Sequence, residues 1–144
     1  MGNKASADPF IEAAESCSVK EVQNLLATLR IPINSIDKDG NTALIKAASR
    51  GRLEVIKFLL NKRAKLNIAN TSGNTAIMEA IKTSNQYQTS VESVEWLLET
   101  GADVMLLNKE GMNCLMLAVQ VGNFEIVEKL LNREVFVQSC IQVA

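Results

Sequence analysis

Apolar positions along this chain fall into a pattern that returns four times. Paired leucines stand at Leu25-Leu26, Leu59-Leu60, Leu97-Leu98 and Leu130-Leu131, with steps of 34, 38 and 33 residues. A small apolar residue recurs at Ala13, Ala47, Ala80 and Ala118, with steps of 34, 33 and 38. A polar turn travels with them. It reads Asp39-Gly40-Asn41-Thr42-Ala43-Leu44, then Ser72-Gly73-Asn74-Thr75-Ala76-Ile77, then more weakly Glu110-Gly111-Met112-Asn113-Cys114-Leu115. Three markers moving in step define internal repeats, each a single supersecondary unit. The shared excess of five residues places one insertion between Ala80 and Leu97, read as Ser84-Asn85-Gln86-Tyr87-Gln88.

Each unit predicts the same elements. A glycine turn comes first, because glycine takes positive φ at little cost. Thr42, Thr75, Asn113 and Asp8 each stand where a helix N-cap is needed, with a side-chain oxygen for an orphan backbone N–H. Pro9 follows Asp8 at a first helical position, where its missing N–H is not needed. A short helix runs to about Arg50 in the second unit, and Gly51 and Gly122 terminate such helices. A second helix carries the stripe Leu53, Ile56, Leu59 and Leu60, matched in the last unit by Phe124, Val127, Leu130 and Leu131.

The run from Asp37 to Ala69, DKDGNTALIKAASRGRLEVIKFLLNKRAKLNIA, resembles an ankyrin repeat along its whole length, and Gly101-Ala102-Asp103-Val104 is similar to that family's turn into the next hairpin. The resemblance covers residues 7 to about 138. It implies an all-α solenoid of stacked helix-turn-helix units joined by β-hairpin-like turns. The units are 7–36, 37–69, 70–107 and 108–144, behind a flexible tail at residues 1–6. One departure stands out. The family's Thr-Pro-Leu-His becomes Thr42-Ala43-Leu44-Ile45, Thr75-Ala76-Ile77-Met78 and Asn113-Cys114-Leu115-Met116. In the family that histidine links neighbouring turns by hydrogen bonds, so looser ties between hairpins are expected. The C-terminal run Glu134-Val135-Phe136-Val137-Gln138-Ser139-Cys140-Ile141 reads as an adapted cap or as the cut edge of a longer array.

Composition narrows the chemistry. Hydrophobic residues make up 47% and charged residues 22% of 144, ordinary for a globular domain and far from the disordered class. The formal charge is -1 with no block of like charge, which argues against a nucleic-acid binder. Histidine is absent, so the Ser-His-Asp, Cys-His and His-ligated zinc templates are excluded. Cys17, Cys114 and Cys140 are far apart and odd in number, and form neither a disulfide framework nor a metal-ligand pair. Cys17 and Cys114 read as packing residues, Cys140 as accessible. No apolar run approaches the roughly 20 residues of a membrane helix. No catalytic residue, cofactor or metal is expected, and the chain reads as intracellular and monomeric.

The resemblance implies binding at hairpin tips and on the exposed side of the first helices, which together form a concave face. The tip positions are Lys38, Asp39 and Asn41, then Thr71, Ser72 and Asn74, then Lys109, Glu110 and Met112. The helix positions are Lys46, Ser49 and Arg50, then Glu79, Lys82 and Thr83, then Leu117, Gln120 and Val121. Read in order, they run from mildly basic to apolar. Two readings stand: a solvated face with scattered apolar residues, or a graded surface for a partner with an acidic end and an apolar anchor. The insertion holds the chain's one tyrosine, Tyr87, and reads as a tolerated loop, an extra contact finger or a phosphorylation site. Trp96 reads as packing, because it stands where Phe58 stands in the second unit.

Met1-Gly2-Asn3-Lys4-Ala5-Ser6 matches the N-myristoylation pattern, with Gly2 as acceptor; an ordinary chain start is the competing reading. One acyl chain gives only marginal, reversible membrane binding. The function expected is protein-protein interaction by an adaptor or scaffold. A stoichiometric inhibitor, for example of a kinase, and a targeting module of a larger protein are the alternatives.

Overall fold

The computed structural model describes residues 8–16 and 18–133. Gly2, Cys17, Cys140 and the run 134–141, read as a cap or as the cut edge of a longer array, lie outside them. Eight helices run through the described residues: α1 (Asp8–Ser16), α2 (Val19–Leu29), α3 (Ala43–Ser49), α4 (Leu53–Asn61), α5 (Ala76–Lys82), α6 (Ser90–Thr100), α7 (Cys114–Val121) and α8 (Phe124–Leu131). The odd-numbered helices stack in one row, α1 on α3 on α5 on α7. The even-numbered helices form the second row, and each pairs with the helix before it. No strand occurs among the described residues. The tight turns 37–41, 70–74 and 108–112 join successive pairs, closed by Asp37 N–H to Asn41 C=O, Asn70 N–H to Asn74 C=O and Asn108 N–H to Met112 C=O, each at 3.0 Å.

A helix of seven residues is marginal alone in water. Burial makes these stable: in α3, Ala43, Leu44, Ile45, Ala47 and Ala48 are all buried, as are Ala76, Ile77, Met78, Ala80 and Ile81 in α5. Alanine at Ala13, Ala47, Ala80 and Ala118 lets the odd row pack closely, and all four are buried. Local signals set the ends. The Thr42 and Asn113 side chains accept from the Ile45 and Met116 N–H groups, as their cap positions predict. Ser18 and Glu21 form a capping box on α2. Gly51 follows the cap Arg50 at φ +62°, and Gly122 caps α7 at φ +79°.

Several expectations change. Asp8 is already the first residue of α1, not its cap. Thr75 holds the cap position, but its buried hydroxyl has no hydrogen-bond partner among the described residues. The last stripe is only half buried: Leu130 is covered, whereas Phe124 is 76% and Leu131 46% exposed. Among the described residues no further helix packs beyond α8.

The expected looseness between hairpins is not seen. An asparagine ladder takes the place of the family's histidine. Asp37, Asn70 and Asn108 each open a turn, and each Oδ1 accepts two backbone N–H groups of its own turn. Asn70 Nδ2 donates to Asn41 Oδ1 and Asn108 Nδ2 to Asn74 Oδ1, both at 3.0 Å. Backbone bonds run beside them, from Thr71 N–H to Asp39 C=O (3.0 Å) and from Lys109 N–H to Ser72 C=O (3.1 Å).

Candidate partner-binding surface

The turn residues separate into two groups. Lys38, Asp39, Thr71, Ser72, Lys109 and Glu110 stand exposed at the tips. Asn41, Asn74 and Met112 turn inward. Asn41 is half buried under Asn70, and Asn74 is buried in the ladder. Met112 packs against the core. The tips thus project from a frame that backbone and side-chain bonds hold on both sides.

On the odd helices most predicted positions already have partners. Glu79 is largely covered and accepts from Asn70 and Asn74 at 3.3 and 2.9 Å, with Lys82 Nζ 3.7 Å away. Ser49 Oγ and Thr83 Oγ1 donate to carbonyls of their own helices. Leu117 is buried at 3% exposure, because stacking of α7 on α5 turns it into the core, so it cannot serve as an apolar anchor. Gln120 is exposed; Val121 is half buried, and its carbonyl accepts from Asn85 Nδ2 at 3.0 Å. The basic-to-apolar trend expected along these positions therefore does not form.

Arg50 belongs to a cluster that sequence reading missed. Its Nε donates to Glu15 Oε1 at 2.7 Å, and its Nη1 to the Tyr87 hydroxyl at 2.6 Å. Lys46 Nζ lies 3.3 Å from the other Glu15 oxygen. Burial works against a charged Glu15, but bonds from Arg50 and then Lys46 outweigh it and hold the carboxyl below its usual value. The partners of Arg50 come from 35 and 37 residues away, so no local signal could reveal them. The insertion is therefore a bonded element. Tyr87, and Thr89 just after the insertion, reach Arg50 and the Gly51 carbonyl on one side, while Asn85 reaches Val121 and Asn123 on the other.

Trp96 is 39% exposed, with Lys57 Nζ 4.7 Å from its ring centroid. Cys114 is buried, and burial, then the Asp103 charge, pushes its thiol up to about 12, so it offers no nucleophile at neutral pH.

Stacked helix-turn-helix units with bonded tips define a solenoid repeat module. Comparison with known proteins agrees. The family profile described as "Ankyrin repeats (3 copies)" matches residues 10–107, and "Ankyrin repeats (many copies)" matches residues 97–138. The chain belongs to the ankyrin repeat family. It is 33% identical over 97 residues to the "Ankyrin repeat and KH domain-containing protein mask-1" of Caenorhabditis elegans, covering 67% of this chain and 4% of that protein. It is 35% identical over 125 residues to "Palmitoyltransferase akr1" of Schizosaccharomyces pombe, covering 87% of this chain and 19% of that protein. The chain thus spans a small part of either relative. What the family supports in general is a protein-protein interaction module.

Proposed function

We propose that this chain is a non-catalytic adaptor or scaffold that binds one protein partner as a monomer, across its hairpin tips and the exposed side of its first helices. The observation that carries this reading is the set of exposed tip pairs, Lys38 and Asp39, Thr71 and Ser72, Lys109 and Glu110, on a frame fixed by the asparagine ladder. A surface fixed before binding loses little entropy on association. We also propose that Gly2 is acylated, giving reversible attachment to the cytoplasmic face of a membrane, on the motif alone.

Arg50 and Lys82 are poor probes of this surface, since both hold intramolecular partners. The tips are cleaner. Capture from lysate with wild type and with Lys38→Glu/Lys109→Glu should differ by one specific partner, with thermal stability unchanged. Capture indifferent to the double reversal would reject the tips as the working surface. Mass measurement of the protein co-expressed with a myristoyl transferase checks Gly2.

A further inference from the structure

Away from the hairpin tips, the junctions between first and second helices of three units border an open hollow of about 570 Å³. The ends of α1 and α3 form two of its walls, and the insertion between α5 and α6 forms the third. Arg50, Arg52, Gln86, Tyr87 and Gln88 all line it.

Its chemistry is rich in donors. Glu15, the carboxylate in the lining, is already engaged by Lys46 and Arg50. Arg52 is different. Its Nε donates to the Glu15 carbonyl at 3.0 Å and its Nη2 to the Ser16 carbonyl at 3.4 Å. Its charge therefore rests on neutral oxygens, with no ion pair to a carboxylate among the described residues. The Tyr87 oxygen accepts from Arg50, which leaves the hydroxyl proton free for another acceptor. Exposed Gln86 and Gln88 add amide donors at the rim. Glu54 and Glu92 border a neighbouring hollow that shares Arg52, so an anion is repelled from that side and directed toward Tyr87.

We propose that this hollow docks an acidic segment of the protein partner, with one carboxylate on the Arg52 fork and a second at Arg50 and the Tyr87 hydroxyl. Arg–carboxylate pairing in a partly enclosed site gives geometric specificity beyond simple charge attraction. The five extra residues thereby acquire a role, since they supply the wall that carries Tyr87. This inference rests on the protein-binding reading above and, Arg50 apart, uses a different surface.

The test uses the full chain and a fluorescein-labelled hexaglutamate peptide, followed by fluorescence polarisation at low salt. Saturable binding is expected, with none for hexalysine, and with steep weakening as salt rises. Arg52→Gln should weaken binding about tenfold, the scale of a lost charge-assisted pair; Tyr87→Phe should weaken it by less, and Lys82→Gln should leave it unchanged. Should Arg52→Gln fail to fold by circular dichroism, Gln86→Glu/Gln88→Glu adds charge at the exposed rim while keeping the bonds of Arg50, Arg52 and Tyr87, and should abolish binding. No saturable binding, or equal binding by a folded Arg52→Gln, overturns the proposal. Full displacement by inorganic phosphate at about the concentration of the labelled peptide would reassign the hollow to phosphate groups and overturn it as well. At about 0.15 M salt, where distant charges are screened, Lys38→Glu/Lys109→Glu should bind hexaglutamate within about twofold of wild type. Loss of hexaglutamate binding alongside tip-dependent capture would therefore fail this proposal alone, and the reverse pattern would fail the tip surface alone.

Discussion

At Gly73 (φ +77°) an added Cβ would lie 2.8 Å from the Lys109 amide nitrogen and 3.0 Å from the Asn108 Cα, both backbone atoms of the next turn. At Gly111 (φ +76°) the same atom would meet nothing within 4 Å among the described residues. The two glycines share a left-handed backbone and differ in the approach of a neighbour. Gly111→Ala should cost about 1–2 kcal/mol, the left-handed penalty of an L side chain. Gly73→Ala should cost more, because backbone must move; urea unfolding of the two variants gives the difference, and equal losses would rule out close approach as the reason for Gly73. The reverse case is Arg63, at φ +64°, which occupies the position of Gly101 in the next unit. Arg63→Gly should be neutral to stabilising by up to about 1 kcal/mol, as relief of strain works against added chain entropy. These residue-scale features were legible in the sequence wherever the cause was local. Gly122 as a terminator and Thr42 and Asn113 as caps follow from spacing alone. Asn74 and Leu117 did not, because their burial depends on the neighbouring unit.

At the scale of elements, α1 and α3 are joined by an apolar face and by the polar connection of Glu15 to Lys46 and Arg50. Because Glu15 titrates below its unfolded value of 4.5 in the native protein, its contribution is fully present above that value and disappears as pH falls through the lowered one. Glu15→Gln should therefore melt below wild type at pH 7, and the gap should close on acidification below pH 4.5. The gap should also narrow at about 1 M salt, as expected of a partly exposed pair. A gap independent of pH would mean that the carboxylate charge does not join the helices. The helices themselves were readable from the leucine and alanine periods, since burial at those positions is what the period records. The ladder was visible only as an unexploited pattern: Asp37, Asn70 and Asn108 recur with the glycines, each three positions before one.

For the molecule as a whole, stacking makes stability a sum of unit terms and nearest-neighbour interfaces. α3 lies between α1 and α5, and α5 lies between α3 and α7, so both have a neighbour on each side of the row. α8 packs chiefly on α7 and α6 among the described residues, and buries Ile126 and Leu130 while Phe124 and Leu131 stay exposed. Unequal burial of this kind predicts unequal local opening. Native-state hydrogen exchange should find the slowest amides in α3 and α5, and amides in α8 faster by at least about tenfold, a difference of about 1.4 kcal/mol in opening free energy. The measurement also tests the nearest-neighbour picture, because Ile126→Ala should speed exchange in α7 and α8 and leave α1 and α3 nearly unaffected. Uniform acceleration along the chain would instead indicate a single cooperative unit. Equal protection of α8 and α3 in wild type would mean that Phe124 and Leu131 are covered in solution, and the predicted order of opening would fail.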